Sequence, residues 1–236
     1  PGPVRGFPEW LPEERIIEYM LANPAGSRLV SMTLSSFANE TASESPAPGG
    51  GSISAYVGAL GVSLATMVAN LSSHKRGWDE RWKAFSDWAE KGEQYKNELL
   101  KLVDADTVAF NKIMEAFALP KATDAEKAAR TEAIQAATKY AIEIPFKVME
   151  TSYNSMEVIK AMVIEGNPNS VTDAGVGALC ARAAVIGAFM NVRINAADYK
   201  DKTFTAEIIA RGQEIQNKTM ALEAEILGLV NEKIGV

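Results

Sequence analysis

Residues 45–73 read SPAPGGGSISAYVGALGVSLATMVANLSS, and the fold class follows from how this stretch is read. It carries no charged residue. Its opening, Ser45 to Gly51, breaks regular structure, because the prolines fix φ and the three glycines leave the backbone unrestrained. From about Ser52 to Leu71 small and apolar residues fall on every side, the pattern of a helix enclosed by other helices. Ile53 to Leu71 is also long enough to cross a bilayer. Its Ala, Gly, Ser and Val content, with Asn70 and several hydroxyls, makes it only modestly hydrophobic. The central helix of a bundle is therefore the better reading, and no membrane partner is expected.

Outward from this stretch, period-2 alternation is nearly absent, whereas apolar residues recur at i, i+3 and i+4. The expected fold is all-α, a single-domain helical bundle with long helices. Upstream, Leu11 to Leu21 predicts a short amphipathic helix, and Thr33 can cap another that carries Leu34 and Phe37. Downstream, after a loop from Ser72 to Gly77, Asp79 to Ala116 predicts one long helix or two nearly collinear ones. Trp82, Phe85, Trp88, Leu99, Val103, Phe110 and Ile113 mark its apolar side. Thr123 and Glu126 form a capping box for a helix from Asp124 to Thr151, in which Pro145 should produce a kink. A shorter helix is expected from Ser152 to Glu165, stopped by Gly166-Asn167-Pro168-Asn169. Thr172 then caps Asp173 to Asn195, and a final helix runs from Thr205 to Lys233. No repeat or Gly/Ser linker divides the chain.

Composition narrows the function. With 236 residues and 47% hydrophobic content the chain can bury a sizeable core. Asp and Glu number 30 against 24 Lys and Arg, a net charge of −6 that argues against binding nucleic acid through phosphate contacts. A single cysteine, Cys180, excludes an internal disulfide framework and reads as a small apolar side chain. With His74 as the one histidine, a Cys/His zinc site is out of reach, so no metal is expected. Pro1 to Trp10 lacks the apolar core of a signal peptide, and a reducing, cytoplasmic setting is expected.

Several positions bear on chemistry. Pro46 to Ser52 combines a turn that lets backbone come close to a ligand with a helix N-terminus whose N–H groups welcome an oxygen; the bland alternative is a flexible turn. It lacks the Gly-Lys-Ser/Thr ending of a nucleotide-phosphate loop. In Leu102-Val103-Asp104-Ala105-Asp106 the two carboxylates point about 200° apart on a helix, so they cannot work as a pair. If Val103, Phe110 and Ile113 face the core, Asp106 lies beside them while Asp104 leans toward solvent. An inward carboxylate is costly unless paired or used, and desolvation moves it toward general acid–base service; a satisfied ion pair is the alternative. Asn191 and Asn195, one turn apart, suit either the edge of a heterocycle or bonds between helices. Lys75 and Arg76 suit an anionic tail or simply a solvated loop. Asp173 reads as part of a helix N-terminus. Ala55, Ala59, Val62 and Ala65, and likewise Gly177, Ala181, Ala184 and Ala188, form small faces that fit a tight helix crossing in the core or across a dimer interface.

These segments together resemble a known family. Phe37-Ala-Asn-Glu-Thr-Ala-Ser43, Pro46-Ala-Pro-Gly-Gly-Gly-Ser52, Met67-Val-Ala-Asn-Leu71, Leu102-Val-Asp-Ala-Asp106, Gly166-Asn-Pro-Asn-Ser170, Asp173 and Phe189-Met-Asn-Val-Arg-Ile-Asn195 are similar to the cyclodeaminase/cyclohydrolase family of folate enzymes. The likeness runs from about Ser31 to the C-terminus and is strongest to the formimidoyltetrahydrofolate cyclodeaminases. It implies an all-α dimer or higher oligomer with a folate site near the dimer interface. The catalytic aspartate it implies is Asp106. It further implies histidine degradation as the setting, a tetrahydrofolate derivative as substrate with no tightly bound cofactor, and ammonia and 5,10-methenyltetrahydrofolate as products. Gly49, Gly50, Gly51, Ser52, Asp173, Asn191 and Asn195 are then expected to bind substrate, and Lys75 or Arg76 to attract its glutamate tail. Residues 1–30 resemble a connector following a glutamate formimidoyltransferase domain, and residues 31–236 the cyclodeaminase domain. The alternatives are a methenyltetrahydrofolate cyclohydrolase and a non-catalytic folate-binding or assembly module.

Overall fold

In a computed structural model of the protein, the described residues, 29–235, form six α-helices joined by short loops. The helix expected at Leu11 to Leu21 and most of the expected connector lie outside the described residues. Helix α1 spans Leu34–Thr41, and the Thr33 side chain accepts from the Ser36 N–H as its cap. Helix α2, Gly50–Ser73, is the uncharged stretch. Helix α3, Trp82–Ala118, follows a 3-10 turn at Asp79–Arg81. Helix α4, Asp124–Glu165, starts on the Thr123–Glu126 capping box, with both reciprocal bonds present. Helix α5, Val171–Ala196, follows a second 3-10 turn at Pro168–Ser170. Helix α6, Lys202–Ile234, is capped by the Asp201 carboxylate and closed by Gly235 in the left-handed region.

The largest departure from expectation is at α4, where the two helices predicted either side of Thr151 are one, and Pro145 lies inside it. A proline inside a helix leaves the carbonyl four residues earlier without its donor. Here that carbonyl is Ala141, and Asn195 of α5 supplies the missing bond at 2.7 Å. The remaining turns are held by buried Ile142, Phe146, Val148 and Met149, so packing carries the helix past the proline. Thr172 falls within α5 rather than capping it, and α6 begins at Lys202 because Asp201 is the better cap. Phe110 and Trp82, read as core residues, are 38% and 56% exposed.

Helix α2 is central, packing against α3, α4 and α5, while α5 also contacts α4 and α6. The small faces are core crossings. A Cβ on Gly61 would meet the Gly177 carbonyl at 2.8 Å, and one on Gly177 would meet the Gly61 carbonyl at 2.7 Å, so at this point backbone lies on backbone. Ala55, Val62, Ala65, Ala181, Ala184 and Ala188 around it are fully buried. Both α2 and the stretch 168–196 are long and apolar enough to cross a membrane, and 61% and 50% of their apolar windows are buried inside the bundle. Leu60, Met67 and Leu71 on α2 and Val176, Leu179 and Met190 on α5 remain exposed, and Met67 and Leu71 line a groove that also holds Glu93 and Lys96 of α3.

Candidate active site

Helix α2 starts at Gly50 with Gly49 as its cap residue, and no side chain of this segment accepts its free N–H groups. The acceptor comes from α3 instead. Asp106 Oδ2 takes the Ser52 backbone N–H at 2.8 Å and lies 3.0 Å from the Ser52 hydroxyl. The first turn of α2 is thus capped by a carboxylate 54 residues away in the chain, the charge that a helix N-terminus favours.

Gly51 makes the approach possible. A Cβ there would overlap Asp106 Oδ1 and come within 2.7 Å of Oδ2. Burial pushes the Asp106 carboxyl above its ordinary value of 3.8, and the hydroxyl and backbone N–H of Ser52 pull it partly back. Oδ1 accepts no hydrogen bond among the described residues. A carboxyl with one oxygen anchored, the other open and its proton affinity raised is suited to general acid–base work.

Asp106 lines a cavity of about 140 Å³. One wall is the Pro46–Gly51 turn, another Thr107, Phe110 and Ile113 of α3, and the remainder Ala141 of α4 with Asn191 and Asn195 of α5. At about 30 Å³ of liquid per water this is room for roughly five waters or one small heterocycle. Two larger open grooves, about 480 and 580 Å³, lie elsewhere and include none of the glycine turn.

The expected site residues divide into two groups. Gly49, Gly50, Gly51, Ser52, Asp106, Asn191 and Asn195 come together at one end of the bundle. Lys75, Arg76 and Asp173 do not join them. The turn and Lys75 lie at opposite ends of α2, whose 24 residues extend about 36 Å. Asp173, in the first turn of α5, is likewise far from Asn191, about 27 Å along the same helix. Within one chain, then, neither the basic loop nor Asp173 shares the Asp106 cavity. Lys75 is already engaged, with Nζ 4.1 Å over the Trp78 ring and 3.3 Å from Asn167 Oδ1.

Two expected ligand residues have other partners. Ser52 is 0% exposed and its hydroxyl also reaches the Val103 carbonyl at 2.9 Å, so it meets Asp106 rather than the cavity. Asn195 gives its amide nitrogen to Ala141, as noted. Asn191 bonds back to Gly187 at 2.9 Å and lies against Gly50, facing the cavity. Asp104 does not lean into solvent. It takes the Leu29 N–H at 2.9 Å and that of Val30, and burial raises its carboxyl. Burial also raises the Cys180 thiol, in keeping with an inert side chain.

Sequence reasoning missed the wall residues Thr107, Ala109 and Ala141. Thr107 Oγ1 is buried without a partner among the described residues. Its place next to Asp106 in the chain was a usable signal; nothing local pointed to Ala141 except its spacing from Pro145.

Comparison with known proteins places the chain among folate-processing relatives. The family model described as Formiminotransferase-cyclodeaminase matches residues 33–214. A formimidoyltransferase-cyclodeaminase from Gallus gallus is 36% identical over 220 residues, 92% of this chain and 41% of its own length. The chain therefore spans about two fifths of that relative. A methenyltetrahydrofolate cyclohydrolase from Methylorubrum extorquens is 34% identical over 86% of this chain and 97% of its own length. Among solved structures, a formiminotetrahydrofolate cyclodeaminase from Thermotoga maritima superposes with a TM-score of 0.77 at 25% identity, covering 88% of this chain and all of that one.

Proposed function

The chain belongs to the formiminotransferase-cyclodeaminase family, and on that premise we propose that it closes 5-formimidoyltetrahydrofolate to 5,10-methenyltetrahydrofolate with release of ammonia. The observation that carries this reading is the Asp106 carboxyl, anchored through Oδ2, raised by burial, without a hydrogen bond at Oδ1 among the described residues, and lining a cavity of heterocycle size.

The chemistry needs one group that takes a proton and gives it back. In the amidinium form of the substrate, the anilino nitrogen attacks the formimidoyl carbon and forms a tetrahedral carbon between two ring nitrogens. Asp106 removes the proton that the attacking nitrogen now carries. It then delivers that proton to the amino group on the tetrahedral carbon, the carbon–nitrogen bond breaks, and ammonia leaves. The positive charge of the amidinium remains on the methenyl bridge, so atoms and charge balance. One carboxyl serving both steps is worth a factor of about 10² to 10⁴, and holding the reacting ends together supplies much of the remainder. Asn191 and the backbone of the Gly49–Gly51 turn line the cavity where the reacting end would sit.

The relative from Methylorubrum extorquens supports a second reading, methenyltetrahydrofolate cyclohydrolase, since it matches along nearly its whole length. Both reactions involve the same bridged carbon, with water in place of ammonia. The deciding experiment supplies enzymatically prepared 5-formimidoyltetrahydrofolate and follows the methenyl absorbance together with ammonia. Methenyl product with stoichiometric ammonia is the expected result. Loss of the band from supplied methenyltetrahydrofolate, with no ammonia from the formimidoyl compound, moves the assignment to the hydrolase. Binding of folate with neither reaction leaves a non-catalytic module.

The outer face of α2 and α5 supports self-association, and we propose that a second copy of this chain covers it. Helix α2 has no charged residue, and between Asp173 and Arg193 α5 has only Arg182. Exposed apolar side chains on two helices so poor in charge fit a homodimer contact.

A further inference from the structure

Ser52 lies deeper than the ligand-binding role expected of it. Its side chain is 0% exposed, so no ligand in the cavity touches the hydroxyl. That hydroxyl has one hydrogen and two acceptors within reach, Val103 O at 2.9 Å and Asp106 Oδ2 at 3.0 Å. The backbone N–H of the same residue is fixed on Oδ2 at 2.8 Å. Gly51, one residue earlier, leaves space for the carboxyl that a side chain there would take, since a Cβ would overlap Oδ1.

We propose that Ser52 is the positioning residue of this site: it holds Asp106 Oδ2 so that Oδ1 takes up and returns the proton, and its hydroxyl turns to Val103 O when the carboxyl is neutral. With Asp106 ionised, the hydroxyl hydrogen lies toward Oδ2, where it stabilises the charge. With the proton on Oδ1, Oδ2 becomes a weaker acceptor and the Val103 carbonyl takes the hydroxyl. The polar group is satisfied in both states, which is what a buried hydroxyl requires. A partner that changes with the protonation state lets the carboxyl cycle without leaving a buried donor unpaired. The inference rests on the acid–base reading of Asp106 and goes beyond it by assigning the residue that orients the carboxyl.

The test compares Ser52→Ala and Ser52→Thr with the parent protein in two readouts. One is the titration of the Asp106 carboxyl, followed by NMR on protein with ¹³C-labelled aspartate and assigned through Asp106→Asn. The other is the split between kcat and KM. Losing a hydrogen bond to the charged form should raise the titration midpoint of Ser52→Ala by about one pH unit, a tenfold change in acid dissociation. kcat should fall about tenfold, with KM within about twofold of the parent, and the melting temperature should fall by a few degrees at pH values where Asp106 is ionised. Ser52→Thr, which keeps the hydroxyl, should restore both values. A Ser52→Ala midpoint equal to the parent's overturns the proposal, as does a raised KM at unchanged kcat. If Asp106→Asn turns over at the parent rate, the acid–base reading itself fails. If Asp106→Asn is inactive while Ser52→Ala behaves as the parent in both readouts, only the role of Ser52 falls.

Discussion

Asp106 stands between two opposed influences, burial that favours its neutral form and the first turn of α2 that favours its charge. Burial prevails, so the folded chain holds this proton more tightly than the unfolded chain does. The stability tied to the group is therefore full below the ordinary value of 3.8 and is lost as pH rises through the folded value. Asp106→Asn does not titrate. Its stability relative to the parent should climb in denaturant titrations as pH rises from the ordinary carboxylate value through the raised folded one, and a flat difference would contradict the raised carboxyl. The same variant should lose about 10² to 10⁴ in kcat, and the parent's turnover should fall on acidification at a pH above the ordinary carboxylate range. Gly51→Ala tests the cradle from its other side. The new methyl displaces the carboxyl, with an expected loss of about 10² in kcat and about 1–3 kcal/mol of stability by denaturation. At this scale the sequence was informative about Asp106, because its position relative to Val103 marked it as turned inward. It was uninformative about Ser52, since whether a serine in a helix's first turn faces a ligand or a carboxylate depends on a residue 54 positions away.

Pro145 shows the same limit for a whole element. Its consequence for Ala141 follows from the helix rule alone, whereas the donor that replaces the lost one comes from α5 and is set only by packing. This gives Asn195 a structural duty where substrate contact was expected. Asn195→Ala should cost about 1–2 kcal/mol, as the Ala141 carbonyl is left unpaired in a buried setting. With Pro145→Ala in the background, residue 145 regains its N–H and satisfies that carbonyl within α4, so the same change should cost less. A coupling of about 1 kcal/mol in the double-mutant cycle, measured by urea unfolding, is the expected outcome. Equal costs in both backgrounds would remove the pairing, and a KM effect at unchanged stability would return Asn195 to the substrate. The capping box at Thr123–Glu126 was legible because it is a local pattern with one geometric meaning, and the small faces of α2 and α5 marked a close helix crossing whose place, core or dimer contact, only the packing decides. Asn195 was not, because its partner is defined only once two helices have packed.

Across the whole molecule, the sequence grouped Lys75, Arg76 and Asp173 with the glycine turn, and the bundle separates them by the length of its helices. Motif proximity along the chain says nothing about which end of a 24-residue helix a residue occupies. The sequence read α2 as enclosed by other helices, yet one side of it, with Leu60, Met67 and Leu71, stays exposed. About 36 Å of helix and two helices set 8–10 Å apart give a face on the order of 700 Å² per copy, close to the roughly 800 Å² a stable partner buries. Leu60 and Leu179, 45% and 44% exposed, are among its apolar side chains on α2 and α5. Exchanging them for glutamate leaves the core untouched and places four like charges into the contact of two copies related by a two-fold axis, since each residue appears twice in an isologous interface. Burying unpaired carboxylates in an apolar contact costs several kcal/mol, enough to weaken association by orders of magnitude. Sedimentation velocity should therefore show the parent at twice the chain mass of 25.4 kDa and Leu60→Glu/Leu179→Glu at the single mass, with equal helical circular dichroism. A variant that keeps the parent's mass would place the contact elsewhere, and a parent that sediments as one chain at high concentration would leave the face without the second copy assigned to it.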